Sequence, residues 1–111
     1  LITFSAYQER LFSLPVVLSR FLALGMPLRE VVRCCTETPA RLMGMEGKLG
    51  TLRPGALADL TVMKLEDRDF TFVDSYGNSL RANRIMIPQM TVKACKTRYR
   101  QIDFTEMFGL V

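Results

Sequence analysis

The apolar residues change their spacing once, near residue 45, and this single change constrains the fold more than any other feature of the 111-residue chain. Before it the spacing suits helices, and after it strands. Ser13 is placed to cap a first helix, with Pro15 early in its first turn, where a missing N–H goes unused. Leu14, Val17, Leu18, Phe21, Leu22 and Leu24 follow at helical intervals, and Gly25 supplies a stop. Pro27 opens a second helix with Leu28, Val31, Val32 and Cys35 on one face. Thr38 caps a third, Pro39 takes its first position and Gly44 ends it. From Met45 onward Gly47, Gly50, Pro54 and Gly55 break any helix. Arg53-Pro54-Gly55-Ala56 sets proline and glycine in the two central places of a type II turn, which demands a positive φ at Gly55. Strands are expected over Asp59 to Leu65, Phe70 to Asp74, Leu80 to Ile87 and, as one last long strand, Gln89 to Arg100. Ser75 to Asn78 reads as a turn, and Pro88 as a bulge or a break. The chain should therefore be α+β, with helices over residues 1–44, a β-rich part over 45–103 and an apolar tail over 104–111 that must dock on something.

Composition narrows the chemistry. There is no histidine, which removes Ser-His-Asp and Cys-His arrangements, histidine metal sites and the usual neutral-pH general base. Cys34, Cys35 and Cys95 fit neither a disulfide framework nor a zinc clamp, and read as small buried thiols in a reducing cytoplasm. The net charge of +4 raises nucleic acid as a partner. The one local concentration, Lys93, Lys96, Arg98 and Arg100, alternates as a solvated strand face would, so no nucleic acid is expected. No apolar run reaches the ~18 residues of a membrane span, so no membrane partner is expected either. Glu66, Asp67 and Asp69 read as a solvated loop between strands, and Gly44, Gly47 and Gly50 lack the lysine-serine pair of a phosphate cradle. The residues contain no catalytic constellation.

One resemblance joins these pieces. Thr38-Pro39-Ala40, Leu49-Gly50-Thr51-Leu52, Pro54-Gly55 and Ala58-Asp59-Leu60-Thr61-Val62 follow one another within Thr38 to Asp67, a stretch that resembles the C-terminal signature of the amidohydrolase superfamily. Upstream, residues 14–32 are similar to the family's final barrel helix and the turn after it. Downstream, residues 70–101 resemble the closing strands of its dihydroorotase-like deacetylase branch. The likeness spans about residues 10–102.

The resemblance implies a fold and an activity. The N-terminal helices would be equivalent to the last helix of a (β/α)8 barrel, followed by a mostly antiparallel β-sandwich portion. A complete barrel needs about 250 residues, so none fits here. The implied function is the C-terminal part of a metal-dependent amidohydrolase that cleaves C–N bonds of cyclic amides or acylated amino groups, with a small-molecule amide as substrate. The family binds one or two divalent metals, usually zinc, through histidines, a carboxylated lysine and an aspartate. The aspartate would fall at or before Leu1, and residues 1–8 contain none. No catalytic, cofactor-binding or metal-binding residue is therefore expected within this chain, which alone is expected to be inactive and to bind no metal. Asp59 is expected to accept hydrogen bonds from backbone N–H groups in the turn rather than to hold a metal.

The chain starts at Leu1 rather than Met, and a piece of a longer cytoplasmic enzyme is the expectation. The alternative is a free-standing β-rich interaction or oligomerisation module without catalytic activity. An apolar stripe over Leu14, Val17, Leu18, Phe21 and Leu22 and an unpaired strand edge would favour self-association. The competing outcome is that the helices fold back over the chain's own sheet.

Overall fold

The computed structural model describes residues 13–74 and 76–102. Three helices, α1 (Leu14–Ala23), α2 (Leu28–Cys35) and α3 (Glu37–Leu42), precede three strands, β1 (Leu60–Val73), β2 (Ser79–Lys93) and β3 (Lys96–Arg100). The described strands form one sheet in the order β1-β2-β3, with β2 and β3 antiparallel. The α+β class expected from the spacing is the class observed. A second sheet is not among the described residues, and the tail over 104–111 lies outside them.

The helix boundaries follow the proline and glycine punctuation with one shift. Ser13 is the N-cap of α1 in extended backbone, but its side chain makes no capping bond; its carbonyl accepts the Val17 N–H at 3.0 Å. Gly25 ends the helix at φ +97°. α3 starts at Glu37 with Thr36 as its N-cap, not at Pro39 with Thr38. Pro39 still lies within the first turn, where no intrahelical acceptor awaits its nitrogen, so proline tolerates the earlier start. The Thr36 hydroxyl donates back to the Val32 carbonyl at 2.8 Å, ending α2 as α3 begins.

The strands depart further from expectation. The two candidates at Asp59 to Leu65 and Phe70 to Asp74 are one 14-residue strand, β1. Glu66, Asp67 and Asp69 therefore sit in a strand rather than in a loop. Glu66 and Arg68, two residues apart on one face, pair at 2.7 Å, which lets charged residues remain in extended backbone. β2 runs unbroken through Pro88, because one missing N–H removes a single ladder bond from a 15-residue strand. The irregularity in register lies instead between Thr91 and Val92, where the pairing passes over Arg98. The last long strand is a hairpin: Ala94 and Cys95 turn the chain between Lys93 and Lys96.

The described residues fall into two compact units, 13–28 with 65–87 and 29–64 with 88–102. In the first, α1 lies on the chain's own strands. Leu18 and Leu22, one helical turn apart, are buried, as are Phe72, Ala82 and Met86. The Arg20 guanidinium stands over the Phe72 ring at 5.4 Å, and the Phe70 and Phe72 rings are 4.9 Å apart. Leu14, Phe21 and Leu24 remain exposed. Ser19 has no exposed surface; its hydroxyl donates to the Pro15 carbonyl at 2.7 Å and accepts the Met86 N–H at 2.9 Å. In the second unit the buried residues are Val31, Ala40 and Gln89, so of the expected α2 face only Val31 is buried; Leu28 and Val32 are about 40% exposed.

The Pro54-Gly55 turn has the geometry the sequence demands. Gly55 has φ +93°, and the Ala56 N–H donates to the Arg53 carbonyl at 3.1 Å. A Cβ on Gly55 would meet nothing within 4 Å, so only backbone conformation opposes a side chain there. Gly55→Val should lower stability by about 1–3 kcal/mol. Thermal or urea unfolding checks this, and an unchanged midpoint would contradict the turn geometry.

Candidate functional site

The residues that carry the resemblance gather in the second unit and bear weight in its backbone. Ala40, on α3, is 3% exposed, and Gly50 lies against it at φ +71°. A Cβ added at Gly50 would come within 2.7 Å of the Thr36 carbonyl carbon, closer still to its oxygen, and 3.1 Å from the Ala40 Cβ. Only glycine allows this loop to approach the start of α3 so closely. A network of backbone bonds then leads to the turn: Met45 N–H to the Ala40 carbonyl at 2.7 Å, Leu49 N–H to Met45 at 3.1 Å and Leu57 N–H to Lys48 at 2.9 Å.

Ala58 and Asp59 follow, and they hold a turn that the sequence does not announce. A two-residue hairpin turn with positive φ at both central positions is of the I′ kind, for which Asn-Gly is the usual pair. Here the pair is Ala94 at φ +50° and Cys95 at φ +67°, each carrying a Cβ into the left-handed region. Lys93 and Lys96 stand directly opposite each other beside it, a like-charge pair in register. All three conflicts meet a partner from one dipeptide. Asp59 Oδ1 accepts the Ala94 N–H at 2.8 Å, Asp59 Oδ2 takes the Lys93 ammonium at 2.7 Å and the Ala58 carbonyl accepts the Cys95 N–H at 3.2 Å. The Lys93 bond, with the Ala94 N–H beside it, holds the Asp59 carboxyl below the usual carboxylate range. Asp59 thus accepts a backbone N–H, as expected, but from a hairpin 35 residues later and not from the Pro54-Gly55 turn. Nothing in Val92-Lys93-Ala94-Cys95-Lys96 signals a turn, and for that reason the hairpin escapes a reading of the sequence.

A cleft of about 100 Å3 opens beside Gly50, lined by Glu37, Ala40, Glu46, Leu49, Thr51 and Arg53. Pockets that enclose a drug-sized ligand measure about 300–1,000 Å3, so this one holds a few waters rather than a substrate. Glu37 is engaged by Arg33 at 3.7 Å, and Arg33 also meets Glu30 at 3.1 Å. The thiols are not the buried groups expected: Cys34 and Cys95 are exposed and Cys35 is half-buried. Short side chains on an exposed helix face and at a hairpin tip have nothing to cover them. Burial, with Cys34 next to it, pushes the Cys35 thiol up, away from a reactive thiolate. Among the described residues no three His, Cys, Asp or Glu side chains gather as a metal site would require, and no helix is long and apolar enough to cross a membrane.

Comparison with known proteins places these motifs. The profile of the Amidohydrolase family matches residues 13–95. A deacetylase from Brucella anthropi is 32% identical over 83 residues, which are 73% of this chain and 20% of that protein. The crystal structure of an adenine deaminase superposes with a TM-score of 0.77 at 23% identity over 90% of this chain and 27% of the other, a likeness of fold. The crystal structure of a dihydroorotase superposes with a TM-score of 0.62 at 26% identity, over 84% of this chain and 30% of the other. The chain spans about a fifth of the length of the curated deacetylase it matches.

Proposed function

Because the chain belongs to the Amidohydrolase family, we propose that it is the C-terminal part of a metal-dependent hydrolase acting on the C–N bonds of cyclic amides or acylated amino groups. The observation that carries this reading is the family match over residues 13–95, three-quarters of the chain, together with the joining of its motif residues into one backbone network. The deacetylase and dihydroorotase likenesses support an amide as the C–N bond cleaved. In this reading α1 and α2 correspond to the end of the barrel, and the sheet to part of the sandwich beside it.

The residues of this chain do not fit the metal that such a reaction uses. The sequence holds no histidine, and the described carboxylates and thiols do not converge. The role proposed for these residues is to build and brace scaffold, and the chemistry belongs to the rest of the enzyme. The fold-back of α1 onto its own strands, seen in the burial of Leu18, Leu22 and Ser19, favours the second reading, a free-standing module. Extending the reading frame upstream separates the two. An uninterrupted frame that carries a His-x-His pair is expected, and a start codon directly before Leu1 would favour the module. The purified 111-residue chain should also retain no stoichiometric zinc after dialysis. Zinc retained at one equivalent per chain would contradict the assignment of the metal to other residues.

A further inference from the structure

The corner at Ala58-Asp59 does more than terminate a loop. Both residues of the β2–β3 turn are held in left-handed backbone without a glycine or asparagine to tolerate it, so the turn is strained wherever its N–H groups are not engaged. The two engaging groups differ in kind. The Ala58 carbonyl on the Cys95 N–H carries no charge to lose and depends on pH only through the turn it holds, whereas the Asp59 carboxylate binds the Ala94 N–H and the Lys93 ammonium strongly only while it is charged.

We propose that Asp59 is a charge-dependent latch on the β2–β3 hairpin: discharging this one carboxylate frees Lys93 to repel Lys96 and releases the strained Ala94–Cys95 turn. The exposed ion pair alone would hold little, since Lys93 is 68% exposed. The same carboxylate, however, also accepts the N–H of a strained residue and sits across a like-charge pair, so both unfavourable features return together when it is neutralised. The elements joined at this corner carry Lys93 on β2, Lys96 on β3, the Cys95 thiol between them, and Lys48 and Lys64 on the loop and strand that flank Asp59. Asp59 is the one carboxylate among these groups, so it is the group through which acid acts on the latch. Its carboxyl is held low in the folded chain, so the latch is closed above the ordinary carboxylate range and opens as the pH falls through the folded value.

Amide hydrogen exchange followed by NMR on the 111-residue chain tests the latch. Between about pH 7 and about pH 2, below the lowered carboxyl, and corrected for intrinsic exchange, the Ala94 and Cys95 amides should lose about tenfold or more of their protection, the scale of a lost charge-assisted bond. The Met86 amide, which is held by Ser19, should keep its protection over the same range. Asp59→Asn should show weak hairpin protection at both pH values. The double variant Ala94→Asn, Cys95→Gly, whose turn needs no restraint, should be protected at both. Equal protection of the wild-type turn at the two pH values would overturn the proposal. So would loss at Met86 in step with Ala94, or a double variant as acid-sensitive as the wild type.

Discussion

Gly50→Ala is expected to lower stability by about 2–5 kcal/mol, the sum of a left-handed non-glycine residue and an overpacked contact. The added methyl has no flexible neighbour to displace. It meets the carbonyl group of Thr36, whose oxygen already accepts the Ala40 N–H at 3.2 Å in the first turn of α3. Relief therefore requires moving either the helix start or the loop from Met45 to Leu49. Small domains hold about 5–15 kcal/mol in all, so the variant should be marginal at room temperature. Gly55 is the internal control, with the same sign of φ and open space around it. Urea unfolding of the two variants side by side separates conformational strain from collision. A Gly50→Ala loss below about 1 kcal/mol would show that α3 and the loop are not in contact as described.

Ser19→Ala should cost about 1–3 kcal/mol, although it removes a single oxygen. In the wild type that oxygen ends the search of a buried strand N–H for an acceptor: Met86 donates to it at 2.9 Å, and the hydroxyl proton passes on to the Pro15 carbonyl at 2.7 Å. Alanine fills most of the volume but leaves the Met86 N–H facing carbon. Ser19→Thr keeps the hydroxyl and separates loss of the bond from loss of packing, since it restores the acceptor while adding a methyl. The amide of Met86 should exchange faster in Ser19→Ala than in the wild type. A stability change within about 0.5 kcal/mol, the range of an ordinary surface substitution, would show that α1 does not rest on β2 through this bond.

Much of the local structure was legible in the residues. Pro15 and Gly25 bracket α1, and the Pro54-Gly55 pair fixes its turn, because proline and glycine act on the φ of their own residue and need no distant partner. The family was legible too, from motif residues that now prove to be backbone supports. Charge and proline were over-read in the strands. Glu66 to Asp69 and Pro88 both suggested interruptions, yet β1 and β2 continue through them, since a neighbouring strand supplies what a local preference withholds.

By itself, then, the sequence determined that helices precede strands, the turn at Gly55 and the lack of an imidazole with which to bind metal. Tertiary structure alone decided where the chain reverses at Ala94 and Cys95, why Ser19 is buried and which N–H groups Asp59 accepts. Each of these pairs residues far apart in the chain, 67 positions for Ser19 and Met86 and 35 for Asp59 and Ala94. A left-handed alanine is unfavourable on its own and becomes the stable choice only when a distant carboxylate holds its N–H, a term that no local window of sequence contains.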